Sequence, residues 1–138
     1  METTKTKAKA RPWLDPKRQC RELTQLDPRF MGMLYEALEA ARAAGLDPIV
    51  IETYRTQKRQ NYLYAQGRTR PGNKVTWTKN SKHIKRLAAD VCPRVNGKIA
   101  WDRKDLFDRW GEIAETAGLS WGGRFRNYDG AHVQAQWA

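Results

Sequence analysis

Histidine occurs only twice in this chain of 138 residues, and so does cysteine. Cys20 and Cys92 are too few and too far apart for a disulfide framework, and no CxxC pair offers a structural zinc knot, which points to a reduced, cytosolic origin. Long hydrophobic runs are missing as well. The opening METTKTKAKARPW places Lys5, Lys7, Lys9 and Arg11 ahead of no apolar stretch, so neither a signal peptide nor a membrane span is expected, and export must come from something else. No internal repeat and no break in composition marks a second domain. One domain with a modest core is expected, and 40% hydrophobic content with six Trp, five Tyr and three Phe is ample for it. Acidic residues are outnumbered: fifteen Asp and Glu face twenty-six Lys and Arg, a formal charge of +11. A chain so basic suits a polyanion, whether nucleic acid, an anionic membrane surface or an anionic cell-wall polymer, and charge alone does not choose among them.

What is present predicts the elements. Residues 1–12 offer almost nothing apolar and read as a flexible basic tail, leaving 13–138 as the folded domain. Between Pro28 and Ala44 the residues Phe30, Leu34, Leu38 and Ala41 recur at helical spacing, with Asp27 as N-cap, Pro28 at the first helical position and Gly45 as terminator. The β-branched run IVIETYR predicts a buried strand delivering Tyr54 and Arg55 to its far end. A second helix is expected over about 57–66, closing at Gly67 and followed by the long loop RTRPGNKVTWTKN. Asn96-Gly97 between LAADVCPRV and KIAW is a strong hairpin signal, because both residues tolerate positive φ. A third helix carries Leu106, Phe107, Trp110, Ile113, Ala114 and Ala117 on one stripe. Asp102 is expected to cap it, Trp101 to staple onto Leu106 and Gly118 to end it. A short strand, a glycine turn and a last strand holding His132 complete the chain. The predicted class is α+β, about three helices packed on a small, mainly antiparallel sheet.

Both histidines stand near aspartates: His83 in SKHIKRLAAD, which ends at Asp90, and His132 in DGAHVQ, which begins at Asp129. A chain with so few histidines has few other means of building a site that works near neutral pH. His83, Asp90 and His132 are therefore candidate metal ligands. Fully extended, the step from His83 to Asp90 would span about 23 Å, far too much for ligand bonds of about 2 Å, so the chain must fold back between them. Two imidazoles and one carboxylate are a standard ligand set for a catalytic zinc ion with a water at its fourth position, and a hydrolase follows. Asp129 is a second carboxylate able to take a proton from that water, and Arg55 is a fixed cation for a developing oxyanion. Two ordinary hydrogen-bonded histidines are the bland alternative, which the rest of the pattern speaks against. Trp77 and Trp121 read as core rather than as a platform beside a substrate. Cys92 reads as a buried structural thiol rather than a ligand.

These residues carry a resemblance. SKHIKRLAAD is similar to the S-x-H-x-x-G-x-A-x-D motif of the D-alanyl-D-alanine carboxypeptidase-like (VanY-type) zinc peptidases, and DGAHVQ to the acid-x-x-His element that completes their site. TYRTQKRQNYLYAQGRTRPGNKVTW and WGGRFRNYDGAHVQ resemble the corresponding blocks of phage L-alanyl-D-glutamate endopeptidases, so the similarity covers roughly Ile49 to Gln134. The resemblance implies zinc on His83, Asp90 and His132, Asp129 as general base and acid, Arg55 stabilising the transition state and contacting substrate, and Ser81 seating the substrate. It implies a peptidase on the stem peptide of bacterial peptidoglycan, with the L-alanyl-D-glutamate bond as target and D,D-carboxypeptidase activity as the alternative. A phage endolysin made in the host cytoplasm fits, monomeric and adhering by charge to anionic wall polymers, with no nucleic-acid partner expected. One position departs from the motif: Arg86 stands where it has glycine, the natural residue for folding the backbone back between two ligands. A basic nucleic-acid-binding module would set Lys and Arg against phosphates and stack Trp and Tyr on bases, but it leaves the His and Asp pattern unexplained. A non-haem Fe(II) oxygenase draws little support from the wide His83 to Asp90 spacing.

Overall fold

In the computed structural model, which describes residues 10–138, Asp27 caps the first helix as its sequence position requires. Its Oδ1 accepts from the Phe30 amide at 3.1 Å, and Pro28 fills the first helical position, where no amide is needed. Most of the expected basic tail, residues 1–9, lies outside the described residues. Helix α1 (Pro28–Ala43) buries Phe30, Leu34, Ala37, Leu38 and Ala41, and the chain leaves it through Gly45 at a φ of 88°. Strand β1 (Pro48–Glu52) leads to α2 (Gln57–Ala65), which Thr56 caps through its hydroxyl. Strands β2 (Ala88–Val95) and β3 (Lys98–Ile99) form the expected hairpin, with Asn96 and Gly97 at φ of 52° and 78°. Helix α3 (Lys104–Thr116), β4 (Leu119–Trp121) and β5 (His132–Ala135) follow.

The sheet runs β1-β2-β5-β4 with every pairing antiparallel, and β3 pairs with the end of β2. Helices α1 and α3 build the core against it: Leu34, Leu38, Trp110 and Ala114 meet Ala89, Val91, Leu119 and Val133. The α+β class with three helices on a small antiparallel sheet is thus what the chain adopts. Strand alternation then places function. Because Ala89 and Val91 enter the core, Asp90 between them faces away from it, and His132 does likewise beside Val133. No helix among the described residues is long and apolar enough to cross a membrane.

The start of α3 differs from expectation. Arg103, not Asp102, occupies the N-cap, and it offers no side-chain cap. A turn closed by the Arg103 amide on the Ala100 carbonyl (3.0 Å) uses up residues 100–103 before the helix begins. Trp101 consequently stacks on Phe107 (centroids 6.1 Å apart) rather than stapling Leu106, and it stays 65% exposed.

Trp121 is the pin of the C-terminal half. A β-carbon added at Gly111 on α3 or at Gly123 would run into its indole ring, and its Nε1 donates to the Gly130 carbonyl at 2.9 Å. Through that bond the ring holds the connection that leads into His132. Gly111→Ala is expected to lower stability by about 1–3 kcal/mol through overpacking, a cost that outweighs the gain in helix propensity of up to about 1 kcal/mol. Urea unfolding should show an earlier midpoint at an unchanged slope; an unmoved midpoint would mean that the indole yields freely.

Candidate active site

Asp90 lies opposite Glu52 of β1 and opposite His132 of β5, so three polar residues form one row across the sheet. His83 reaches the row from a turn over residues 81–87. The Ser81 hydroxyl accepts the His83 amide at 3.1 Å, and the Arg86 and Leu87 amides bond back to the carbonyls of His83 (3.2 Å) and Lys82 (3.1 Å). Arg86 makes the fold-back in the left-handed region, at a φ of 64°. For a non-glycine residue that conformation costs about 1–2 kcal/mol. Compensation comes from the side chain: Nη1 donates to the Gln25 carbonyl (2.7 Å) and Oε1 (3.0 Å), and the guanidinium lies 3.8 Å from the centre of the Tyr54 ring. Arginine thus does here what the resembling motif assigns to glycine.

The three candidate ligands converge. His83 Nε2 and His132 Nδ1 lie 3.3 and 3.4 Å from Asp90 Oδ1, and one donor atom from each residue falls within 4.8 Å of the others. The outer ring nitrogens are held by oxygens that can only accept: His83 Nδ1 by the Thr53 carbonyl and His132 Nε2 by Gln134 Oε1, each at 2.8 Å. The outer nitrogens therefore carry the protons, and the inner ones turn lone pairs toward Asp90. His83 Nε2 and Asp90 Oδ1 are buried without a hydrogen-bond partner. Each such orphan costs about 1–3 kcal/mol, and one cation at their meeting point satisfies both. The donor set fits a zinc-type ion in ligand type, tautomer and outer hydrogen bonding. Without an ion the attraction falls between the carboxylate and the imidazoles. Burial opposes charge on Asp90, yet the two imidazoles hold its carboxyl well below the usual range; burial likewise pulls His132 down, and Asp90 more than reverses it.

Asp129 stands beside this group. Its amide donates to the Gly122 carbonyl at 3.0 Å and its carbonyl accepts from the His132 amide at 3.1 Å. Only glycine fits at 122, because a β-carbon there would strike the Asp129 carbonyl. Loss of water around the carboxyl, and then the charge of Asp90, raise Asp129 above the usual carboxylate range, although the residue stays open to solvent in the cleft and is screened by it. The cleft holds about 740 Å³ and is walled mainly by residues 74–83 and 125–129, with Arg55, Ser81, Asp129 and all three candidate ligands along it. Trp121 is core, as expected. Trp77 is not: it stands 60% exposed on the rim, with Lys74 and Arg68 at 5.6 and 5.8 Å from its ring, because its loop brings no apolar partner to cover it. Cys92 is buried and free, its thiol pushed up to about 12 by burial and then by Asp90, and it takes no part in the donor group.

Residues 74–135 match the family model described as D-alanyl-D-alanine carboxypeptidase. The peptidoglycan L-alanyl-D-glutamate endopeptidase CwlK of Bacillus subtilis strain 168 is 39% identical over 108 residues, an alignment covering 67% of this chain and 65% of CwlK. Over these segments the chain resembles this peptidase family. It spans about two thirds of the length of that relative. Among solved structures, the L-Ala D-Glu endopeptidase ChiX of Serratia marcescens has the same fold at 23% identity, with a TM-score of 0.68 over 83% of this chain and 84% of ChiX. The vancomycin resistance D,D-pentapeptidase VanY, solved with Zn(II), shares it at 19% identity, with a TM-score of 0.59 over 80% of this chain and 72% of VanY.

The donor row rests on a buried ion network that sequence reasoning missed. Arg55 grips Glu52 with Nε (3.2 Å) and Nη2 (2.9 Å), donates from Nη1 to Gln60 Oε1 (2.8 Å) and lies 3.7 Å from Asp90 Oδ2. Arg59 bonds the same carboxylate and also the Pro16 carbonyl at 3.0 Å. The available signal was an acid at the end of an apolar strand followed by arginines three and seven residues on. Burial pushes the Glu52 carboxyl up, but Arg59 and Arg55 together hold it below the usual range. A carboxyl so depressed contributes stability above its unfolded pKa of about 4.3 and loses it as pH falls through the folded value. Glu52→Gln leaves two buried guanidiniums facing a neutral amide and should cost about 3–5 kcal/mol by denaturant titration at neutral pH. The gap between parent and variant should narrow in acid; equal stability at pH 7 would show the pair to be replaceable.

Proposed function

We propose that the chain is a zinc peptidase hydrolysing the stem peptide of bacterial peptidoglycan at the L-alanyl-D-glutamate bond. The observation that carries this reading is the pair of orphaned buried donors, His83 Nε2 and Asp90 Oδ1, meeting His132 in a chain 39% identical to CwlK. His83, Asp90 and His132 hold the ion. When bound, the ion supplies Lewis acidity, polarising a carbonyl and lowering the pKa of a coordinated water toward neutrality.

The chain's own residues do the rest. Asp129 takes the proton of the attacking water and returns it to the leaving amine, a role suited to a carboxyl held above its ordinary range at the cleft wall. Arg55, fixed by Glu52 and Gln60 yet still lining the cleft, stabilises the developing oxyanion without having to reorganise. The Ser81 oxygen already accepts the His83 amide, which leaves its hydroxyl hydrogen to seat the substrate. A charge of +11 favours adhesion to anionic wall polymers, and the whole fits a monomeric phage endolysin made in the host cytoplasm and acting in host cell lysis. D,D-carboxypeptidase action is the second reading, favoured by the fold shared with VanY.

Mass spectrometry of digested peptidoglycan separates the two: a new glutamate amino terminus supports the endopeptidase, and release of only a terminal alanine supports the second reading. Chelation should abolish cleavage and added zinc should restore it; cleavage that survives chelation removes the metal from the reaction.

Asp129→Asn should keep the fold and the zinc content while lowering the rate about 100-fold to 10,000-fold, the usual worth of a positioned proton-transfer group. Because the base must be ionised, parent activity should fall as pH drops through the raised Asp129 value. A residue that only oriented the ligands would instead weaken zinc affinity about 10-fold to 100-fold, and excess zinc would recover the rate.

A further inference from the structure

Cations on this protein are paired where acids are near. Arg42 meets Glu39, Arg94 meets Asp47, Lys104 meets Asp108 and Arg124 meets Glu115. Many other cations have no carboxylate partner among the described residues, and of these Lys74, Lys82 and Arg126 are the ones that line the cleft. Among the described residues, the only acids along the cleft are Asp90 and Asp129, and both belong to the reaction centre. Arg55, the remaining cation of the cleft, is already bound to Glu52. The cleft is therefore furnished with positive charge that the protein itself leaves unanswered.

The placement is close to the chemistry. Lys82 is the neighbour of His83, and Arg126 precedes Asp129 by three residues, so charge reaches the site from both wall segments. Lys82 is half-buried, while Lys74 and Arg126 are exposed. Concave walls focus such charges on whatever lies between them. A substrate carboxylate gains from this field; the corresponding amide loses the charge and turns N–H donors toward cations.

We infer that the cleft selects stem peptides that carry free carboxylates over their amidated forms, reading the charge with Lys82 and Arg126 and, further out, Lys74. The inference rests on the stem-peptide reading above and adds the charge class of the substrate. Phosphate polymers of the wall could meet exposed lysines anywhere on the surface. These three side chains instead stand where the cleaved peptide must lie.

The test uses the zinc-loaded protein and two soluble stem peptides, identical except that the glutamate carboxyl outside the peptide chain is free in one and amidated in the other. The acid should be cut with kcat/KM about 10-fold above the amide, and the ratio should shrink at high salt. Lys82→Gln and Arg126→Gln should each lower the ratio about 2-fold to 5-fold, the usual worth of one exposed ion pair, while Lys82→Arg keeps it. Because each ratio is internal to one variant, partial loss of folding does not move it. Equal kcat/KM of the parent on both peptides overturns the inference and leaves the peptidase reading standing. A ratio untouched by either glutamine variant overturns the assignment to these residues, and failure to cut either peptide overturns both readings.

Discussion

Three electron-rich atoms, two imidazole lone pairs and a carboxylate oxygen, are held within 4.8 Å of one another in a site largely shut off from water. Left alone, nothing in their own chemistry would keep them facing one another. Their convergence has to be imposed from outside, and the surrounding structure does so by two means. Outer acceptors, the Thr53 carbonyl and Gln134 Oε1, choose the tautomer of each ring. Antiparallel register, placing Asp90 opposite both Glu52 and His132, fixes the carboxylate between its partners.

Support for this row comes largely from residues that precede the segment shared with the family model. Thr53, Arg55, Arg59 and Glu52 all lie before residue 74, where that match begins. They in turn lean on the N-terminal segment. Thr53 bonds the carbonyls of Cys20 and Glu22, Arg59 reaches Pro16 and Arg86 reaches Gln25, while Trp13 and Cys20 are buried. The segment over residues 12–27 is thereby a backing for the ligand turn. This arrangement also explains how a left-handed arginine is tolerated between two ligands: the strain is local, and the bonds that offset it run to distant carbonyls and to the Tyr54 ring.

The electrostatic design separates two uses of charge. Behind the row, two arginines share the carboxylate of Glu52 in a dry environment, where a lone charge would be costly, and Arg55 also lies 3.7 Å from Asp90. In front of it, cations line an open cleft without acids to answer them. Burial makes the first set structural, and exposure makes the second available to a ligand. A net charge of +11 read from composition does not distinguish the two.

Features that depend on near neighbours, or on the chemistry of a rare residue type, can be read from the amino-acid order. Helix α1 starts at an Asp-Pro pair and stops at a glycine, and the hairpin turns on Asn96-Gly97; capping and positive φ act over a few residues. With only two histidines, each near an aspartate, the donor trio was legible too. Tertiary structure alone decided the matters that turn on partners far along the chain. It joined Glu52 to two arginines and Arg59 to Pro16, it let the turn at Ala100 delay α3 past Asp102, and it left Trp77 uncovered. It also chose which imidazole nitrogen faces inward. In each case the deciding energy is a contact between residues that local periodicity cannot bring together, so it appears only once the sheet has set its register.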